Sequence, residues 1–214
     1  MSHYVIAIDG PAASGKSSVA KVLADRLGLV YVNSGAMYRA MAWAALERGI
    51  DPGDAAGVCE MMGRIAIDCG REGSASTIAV DGYNPAAHLT EDRVNASVSA
   101  IASIPEVRER LVAEQRAYLE HSDIVMEGRD IGSVVFPDTP FKFYLSARPE
   151  VRSGRRRAQG QDDAIEERDR QDSTRASSPL VIPEGATVID TSELDIDGVA
   201  EAIVAKLREG GIAA

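Results

Sequence analysis

The chain has 214 residues, of which 45% are apolar and 26% charged, with 33 acidic side chains against 23 Lys and Arg and a formal net charge of −10. That length and apolar content suffice for one domain with a substantial core and argue against disorder. The negative balance argues against a general affinity for nucleic acid or an anionic membrane, so a phosphate-bearing ligand needs locally gathered arginines.

The opening residues Met1-Ser2-His3-Tyr4 carry no basic, apolar leader pattern, and no run approaches the ~18 apolar residues of a membrane span. Cys59 and Cys69 are spaced neither as a metal knuckle nor as a redox pair, and read as free thiols in a reducing compartment. A cytoplasmic protein is expected.

The first apolar run, Tyr4-Val5-Ile6-Ala7-Ile8, reads as a buried strand closed by Asp9-Gly10-Pro11. Residues Gly10-Pro11-Ala12-Ala13-Ser14-Gly15-Lys16-Ser17 then fit the phosphate-cradling pattern G-x-x-x-x-G-K-[ST] in full. Glycines let the backbone bend so that successive N–H groups and a helix N-terminus face an anion. Lys16 supplies a charge for the β and γ oxygens of a bound nucleotide, and the Ser17 hydroxyl suits Mg²⁺. Ser18 is the next residue of the helix that follows, whose apolar face carries Val19, Val22, Leu23 and Leu27, with Gly28 as its stop.

Leu29-Val30-Tyr31-Val32 reads as a second strand. Asn33-Ser34-Gly35-Ala36-Met37-Tyr38-Arg39 follows it and opens a helix over about 35–48. A Ser-Gly helix start at the carboxyl edge of a parallel sheet can hold a second phosphate through N–H dipoles and Arg39. Segments 65–68 and 77–80 look like strands of a small β-rich insertion, with Asp81-Gly82 as a turn signal. Residues 91–103 and 105–121 then read as helices, the second opened by Pro105.

Strands are expected again at 123–126, 141–145 and 187–190, with a closing helix over about 196–208. Between the last two strands lies an Arg-rich helical pair, about 149–159 and 163–177. Arg152, Arg155 and Arg156 are spaced i, i+3, i+4, and Arg168, Asp172 and Arg175 i, i+4, i+7, so each set shares a helix face. Focused positive faces in an acidic chain fit a lid that spreads the charge of phosphoryl transfer. The bland alternative is a surface helix laced with pairs such as Arg168 with Asp172.

The alternation predicts an α/β fold: a P-loop three-layer αβα domain around a mainly parallel five-stranded sheet, with the β-rich insertion and a short Arg-rich lid. The core is expected over about 1–35, 105–148 and 178–214, the insertion-bearing region over 36–104 and the lid over 149–177. A GTPase switch is disfavoured because no N-K-x-D guanine-binding segment occurs.

Together with Glu127-Gly128-Arg129-Asp130-Ile131-Gly132-Ser133-Val134-Val135-Phe136-Pro137, the segment from Asn33 to Arg39 resembles bacterial cytidylate kinases. That family reads D-S-G-x-x-Y-R after its second strand and D/E-G-R-D-x-G-T-x-V-x-P after its third. The resemblance covers nearly the whole chain and implies phosphoryl transfer from ATP, with Mg²⁺, to CMP or dCMP; a monomer is expected, and the acidic charge balance argues against nucleic acid or membrane as partners. It implies catalytic roles for Lys16, Arg129, Arg152, Arg156 and Arg175, and places Arg155 with ATP. It assigns Ser34, Tyr38, Arg39, Ser99, Arg108, Gly128, Arg129, Asp130, Arg168, Asp172 and Arg175 to the acceptor nucleotide.

Asp130 is the residue expected to identify the base, because a carboxylate accepts from the exocyclic amine of cytosine and repels the O4 of uracil. Arg108 suits the O2 and N3 side. Three features differ from the family pattern: Asn33 in place of Asp, Leu89-Thr90-Glu91-Asp92-Arg93-Val94 in place of I-R-[TS]-x-E-V, and a short segment over 158–164. The rival readings are a kinase for UMP, AMP or a small metabolite, and a nucleotide sensor without turnover.

Overall fold

The computed structural model describes residues 3–158, 165–175 and 177–212. Strand β1 (Val5–Asp9) is buried along its whole length, as a central parallel strand must be with helices on both faces. Its side chains alternate: Ile6 and Ile8 face one apolar cluster, Val5 and Ala7 the other. After β1 come α1 (Lys16–Leu27), β2 (Val30–Asn33), α2 (Ser34–Glu47), α3 (Ala55–Met62), β3 (Ile67–Glu72) and β4 (Ala75–Val80). The chain continues through α4 (Asp92–Ser103), α5 (Pro105–Ala117), β5 (Ile124–Gly128), β6 (Lys142–Ser146), α6 (Pro149–Ala158), α7 (Ile165–Thr174), β7 (Thr187–Asp190) and α8 (Ile196–Glu209).

The described strands form one sheet of seven, ordered β3-β4-β2-β5-β1-β6-β7, rather than the five expected. The two extra strands are the insertion hairpin, which joins the sheet instead of standing apart. β4 lies parallel to β2 at the single register Tyr31 with Ala75, and Tyr31 N–H donates to the Ser74 carbonyl at 2.7 Å. Only the β3–β4 pairing is antiparallel. Asp81 and Gly82 both take positive φ, 51° and 78°, in a tight turn closed by a bridge between Val80 and Tyr83.

Three apolar clusters build the layers. Val19, Ala20 and Leu23 of α1 and Val199, Ile203 and Leu207 of α8 cover the Ile6, Ile8 and Phe143 face. On the other face Val5, Ala7, Val32, Ile124 and Met126 pack with Ile131, Val135 and Val112. A third cluster joins α2, α3, α4, α5 and the hairpin through Met41, Val58, Ile78, Val98 and Leu111. Helix α3 and a single π-helical turn over Ile131–Val135 were not predicted from sequence. The turn opens at the carboxyl end of β5, where ligands collect in a parallel sheet.

Candidate active site

The carboxyl ends of β1, β2 and β5 meet under one cavity of about 550 Å³. Its floor is the loop from Ala12 to Ser18, and its far wall is the loop after β5 with Gly128, Arg129 and Asp130. Gly10 cannot carry a side chain here, since an added Cβ would stand 2.1 Å from the Leu145 carbonyl oxygen. Ala13 is held at φ 57° and Gly15 at φ 93° as the loop curls into α1.

Lys16 is 5% exposed and folds back on its own loop, donating to the Pro11 carbonyl at 2.6 Å. Burial first, and the Arg129 charge next, push its ammonium down to about 7, against the pull of Glu127, Asp169 and Asp9. A polyphosphate would restore the charge that burial opposes. Ser17 donates to Oε1 of Glu127 at 2.7 Å, and the Tyr31 hydroxyl reaches the same oxygen at 3.3 Å. Burial, then the Glu127 charge, raise the Tyr31 phenol well above its usual range. A hydroxyl and a carboxylate side by side at the cavity wall form the hard oxygen set that Mg²⁺ prefers.

A second wall begins at Asn33, whose side chain caps α2 by accepting from Ala36 N–H at 3.0 Å. The amide that replaces the family's Asp is therefore a helix cap. Ser34 donates to the Glu127 carbonyl at 2.8 Å, and its hydroxyl fits only because Gly128 lacks a side chain: an added Cβ would lie 2.5 Å from it. Arg39 is oriented from α4, donating from Nε to Asn95 at 3.2 Å. Tyr38 lies beneath Arg108, with the guanidinium 5.4 Å from the ring centroid.

Arg108 forms a buried ion pair with Asp130 and also donates to Ser178 at 3.1 Å and the Ala102 carbonyl at 3.3 Å. Burial raises the Asp130 acid, while Arg108 and Arg175 pull it down. Arg129 donates to Asp172 at 2.9 Å, and Ser99 donates to the other oxygen of Asp172 at 3.3 Å. Burial opposes the Arg129 charge, yet Asp172 and Asp169 hold its pKa above the ordinary value. Asp172 is thus a buried partner of Arg129 and Ser99.

The cavity brings together most of the predicted residues: Ala12, Ala13, Ser14, Gly15, Lys16, Ser17, Ser18, Ser34, Tyr38, Arg39, Ser99, Arg108, Gly128, Arg129, Asp130, Arg156, Asp172 and Arg175. Gly10, Pro11, Arg152 and Arg155 stand behind its wall. Arg152 pairs with Asp169 and donates to the Ala12 carbonyl at 3.1 Å. Arg155 donates to the Thr191 hydroxyl at 3.0 Å and to its carbonyl at 2.7 Å, and Thr191 in turn holds the Ser14 carbonyl at 3.0 Å. Helical spacing put Arg152, Arg155 and Arg156 on one face. In the fold the first two brace the loop from outside, and Arg156 reaches the cavity. The backbone of Arg168 lies in α7, but its side chain is outside the described residues, as is the short segment 159–164.

Four contributors had no role in the sequence reading. Glu127 stood inside a motif without a function of its own, and Asn95 lay in an ordinary amphipathic helix. Asp169 accepts from Ala12 N–H at 2.9 Å, bringing α7 onto the loop. Asp9 is buried beside the Asp130 loop, and its signal was visible: a carboxylate ending an otherwise apolar strand.

Cations outnumber carboxylates around this cavity although the chain as a whole is strongly acidic. A family model described as cytidylate kinase matches residues 6–209. The chain is 41% identical to a cytidylate kinase of Streptomyces avermitilis over 214 residues, covering 96% of this chain and 93% of that protein. It is 41% identical to one from Pelotomaculum thermopropionicum, covering 96% of each, and 42% identical to one from Solibacter usitatus, covering 96% and 93%.

Proposed function

Because the chain belongs to the cytidylate kinase family, we propose that it transfers the γ-phosphoryl group of ATP to CMP or dCMP, releasing ADP and CDP or dCDP. The observation that carries this reading is that Lys16 and Ser17 share one cavity with Arg39, Arg129 and Asp130. An oxygen of the acceptor phosphate attacks the γ-phosphorus as the bond from that phosphorus to the β-bridging oxygen breaks, and ADP leaves. The attacking oxygen is already anionic near neutral pH, so no side chain need act as a base.

Lys16 and the loop amides hold the donor phosphates. Arg129, Arg156 and Arg175 gather around the transferring group, where developing charge is spread over its outer oxygens. Arg39 and Ser34 hold the acceptor phosphate. Ser17 and Glu127 are the residues suited to Mg²⁺, which supplies charge neutralisation at the β and γ oxygens when bound. Asp130 accepts from the cytosine amine, and Arg108 faces the O2 and N3 side of the base. Arg168 and Asp172 serve the sugar, and Arg152 and Arg155 keep the loop in shape.

No helix among the described residues is long and apolar enough to cross a membrane. Cys59 and Cys69 are both free, which supports a reducing, cytoplasmic setting. The test is a turnover screen with ATP against CMP, dCMP, UMP, AMP and GMP, reading ADP release. CMP and dCMP are expected to lead; a clear lead for AMP or GMP would refute the acceptor assignment.

A further inference from the structure

Asp9 ends β1, directly before Gly10, and its side chain is fully buried. It does not line the cavity, so contact with a nucleotide does not account for it. Its oxygens are instead a bracket. Oδ1 accepts from Ile131 N–H at 2.7 Å and Oδ2 from Gly132 N–H at 2.7 Å. These are the first two N–H groups of the π-helical turn that begins directly after Asp130.

A carboxylate is an expensive group to bury where an apolar residue would pack as well. Burial pushes the Asp9 acid up to about 7, although both amide N–H groups favour its charged form. What the carboxylate offers in return is geometry. Two short, charge-assisted hydrogen bonds to successive amides fix both the position and the tilt of the loop. A neutral apolar side chain would leave those amides unpaired.

We infer that Asp9 is a positioning residue for acceptor recognition: its carboxylate brackets the backbone at Ile131 and Gly132 and thereby sets where Arg129 and Asp130 meet the acceptor nucleotide. The same residue precedes Gly10 of the ATP-binding loop, but that loop is held separately by Thr191, Arg152 and Asp169. This inference rests on the assignment of Arg129 and Asp130 to the acceptor.

The test compares wild type with Asp9→Asn by calorimetric titration of CMP and, separately, of ADP, together with the kcat/KM ratio of CMP to UMP. An amide offers one acceptor and turns a donor toward the second N–H, so half of the bracket is lost. Asp9→Asn is expected to weaken CMP at least ~10-fold and to lower the CMP preference by a similar factor, with ADP affinity held within ~3-fold. Equal weakening of ADP and CMP would overturn the inference, because Asp9 would then simply support the ATP loop. Unchanged CMP affinity and preference would overturn it as well.

Gly132→Ala approaches the same bracket from the other side. Its Cβ would lie 3.3 Å from Oδ2 of Asp9 and 3.2 Å from side-chain carbons of Lys142 and Pro183. It is expected to move the readouts the same way by a smaller factor, and it decides the matter if Asp9→Asn does not fold. Unchanged values in Gly132→Ala would then count against the inference. If wild type itself shows no preference for CMP over UMP, the base assignment fails, while the split between CMP and ADP affinity still judges Asp9.

Discussion

Arg108 and Asp130 form an ion pair in the wall of the cavity, with the two side chains only 5% and 6% exposed. Each is satisfied by the other before any base arrives. Arg108 is also held by Ser178, the Ala102 carbonyl and the Tyr38 ring. In the proposed acceptor site the pair would be a preset donor–acceptor edge, which limits the rearrangement that base binding requires.

Asp130→Asn replaces an acceptor with a group that also donates, so it should favour the O4 of uracil over the amine of cytosine. The CMP to UMP ratio of kcat/KM is expected to fall by ~10²-fold or more, measured by steady-state kinetics with both nucleotides. Asp130→Ala has a different cost, since Arg108 keeps its charge in a buried place without that partner. Denaturant unfolding should show a loss of about 3–5 kcal/mol for this variant.

The Lys16 ammonium is pushed down to about 7, by burial first and by Arg129 next. The unfolded chain binds this proton up to its ordinary value of 10.5. Between those two values the unfolded state holds more protons, so the Lys16 contribution to stability rises with pH. ATP brings negative charge and restores the ammonium, so binding at pH ~8 should take up protons. Calorimetry in two buffers of different ionisation enthalpy measures this; Lys16→Met should abolish the uptake and lower kcat by ~10²–10³-fold. A binding enthalpy identical in both buffers would count against the restored charge.

Glu127 and Ser17 touch at 2.7 Å in the wall of the cavity. Glu127→Gln keeps the shape and removes the charge, so half-maximal activity should require at least ~10-fold more Mg²⁺. Mg²⁺-dependent tightening of ADP binding, read by calorimetry, should shrink in parallel. Chelation of Mg²⁺ should stop turnover in wild type and variant alike.

Asp169 ties α7 to Ala12 N–H and to Arg152. Asp169→Ala removes the carboxylate from both, leaving Arg152 in a mostly buried place without its partner. Amide hydrogen exchange in α7 should speed up by about tenfold or more, and KM for ATP should rise more than KM for CMP. Exchange confined to its wild-type rate would show that α7 docks without this contact.

The parts legible in sequence were those set by neighbours along the chain. Buried strands announced themselves by apolar runs, α1 by its periodic face and Gly28, and the phosphate loop by glycines at fixed offsets. What sequence could not supply were pairings between distant segments. Asp9 meets Gly132 across 123 positions, and Asp169 meets Ala12 across 157. The hairpin was visible as two strands, but its attachment to the sheet depends on a single register between Tyr31 and Ala75. Likewise the spacing of Arg152, Arg155 and Arg156 is that of one helix face. Which of them reaches the cavity is decided by Asp169 and Thr191, which take the first two.

The central claim is that donor and acceptor phosphates meet within one cavity, and a linked ligand tests it most directly. Cytidine and adenosine joined through their 5′ oxygens by a five-phosphate chain would occupy both halves at once. Titrated by calorimetry, it is expected to bind at least ~100-fold tighter than either ATP or CMP and to exclude both. An affinity no better than that of the tighter single nucleotide, or displacement of only one of them, would contradict the account.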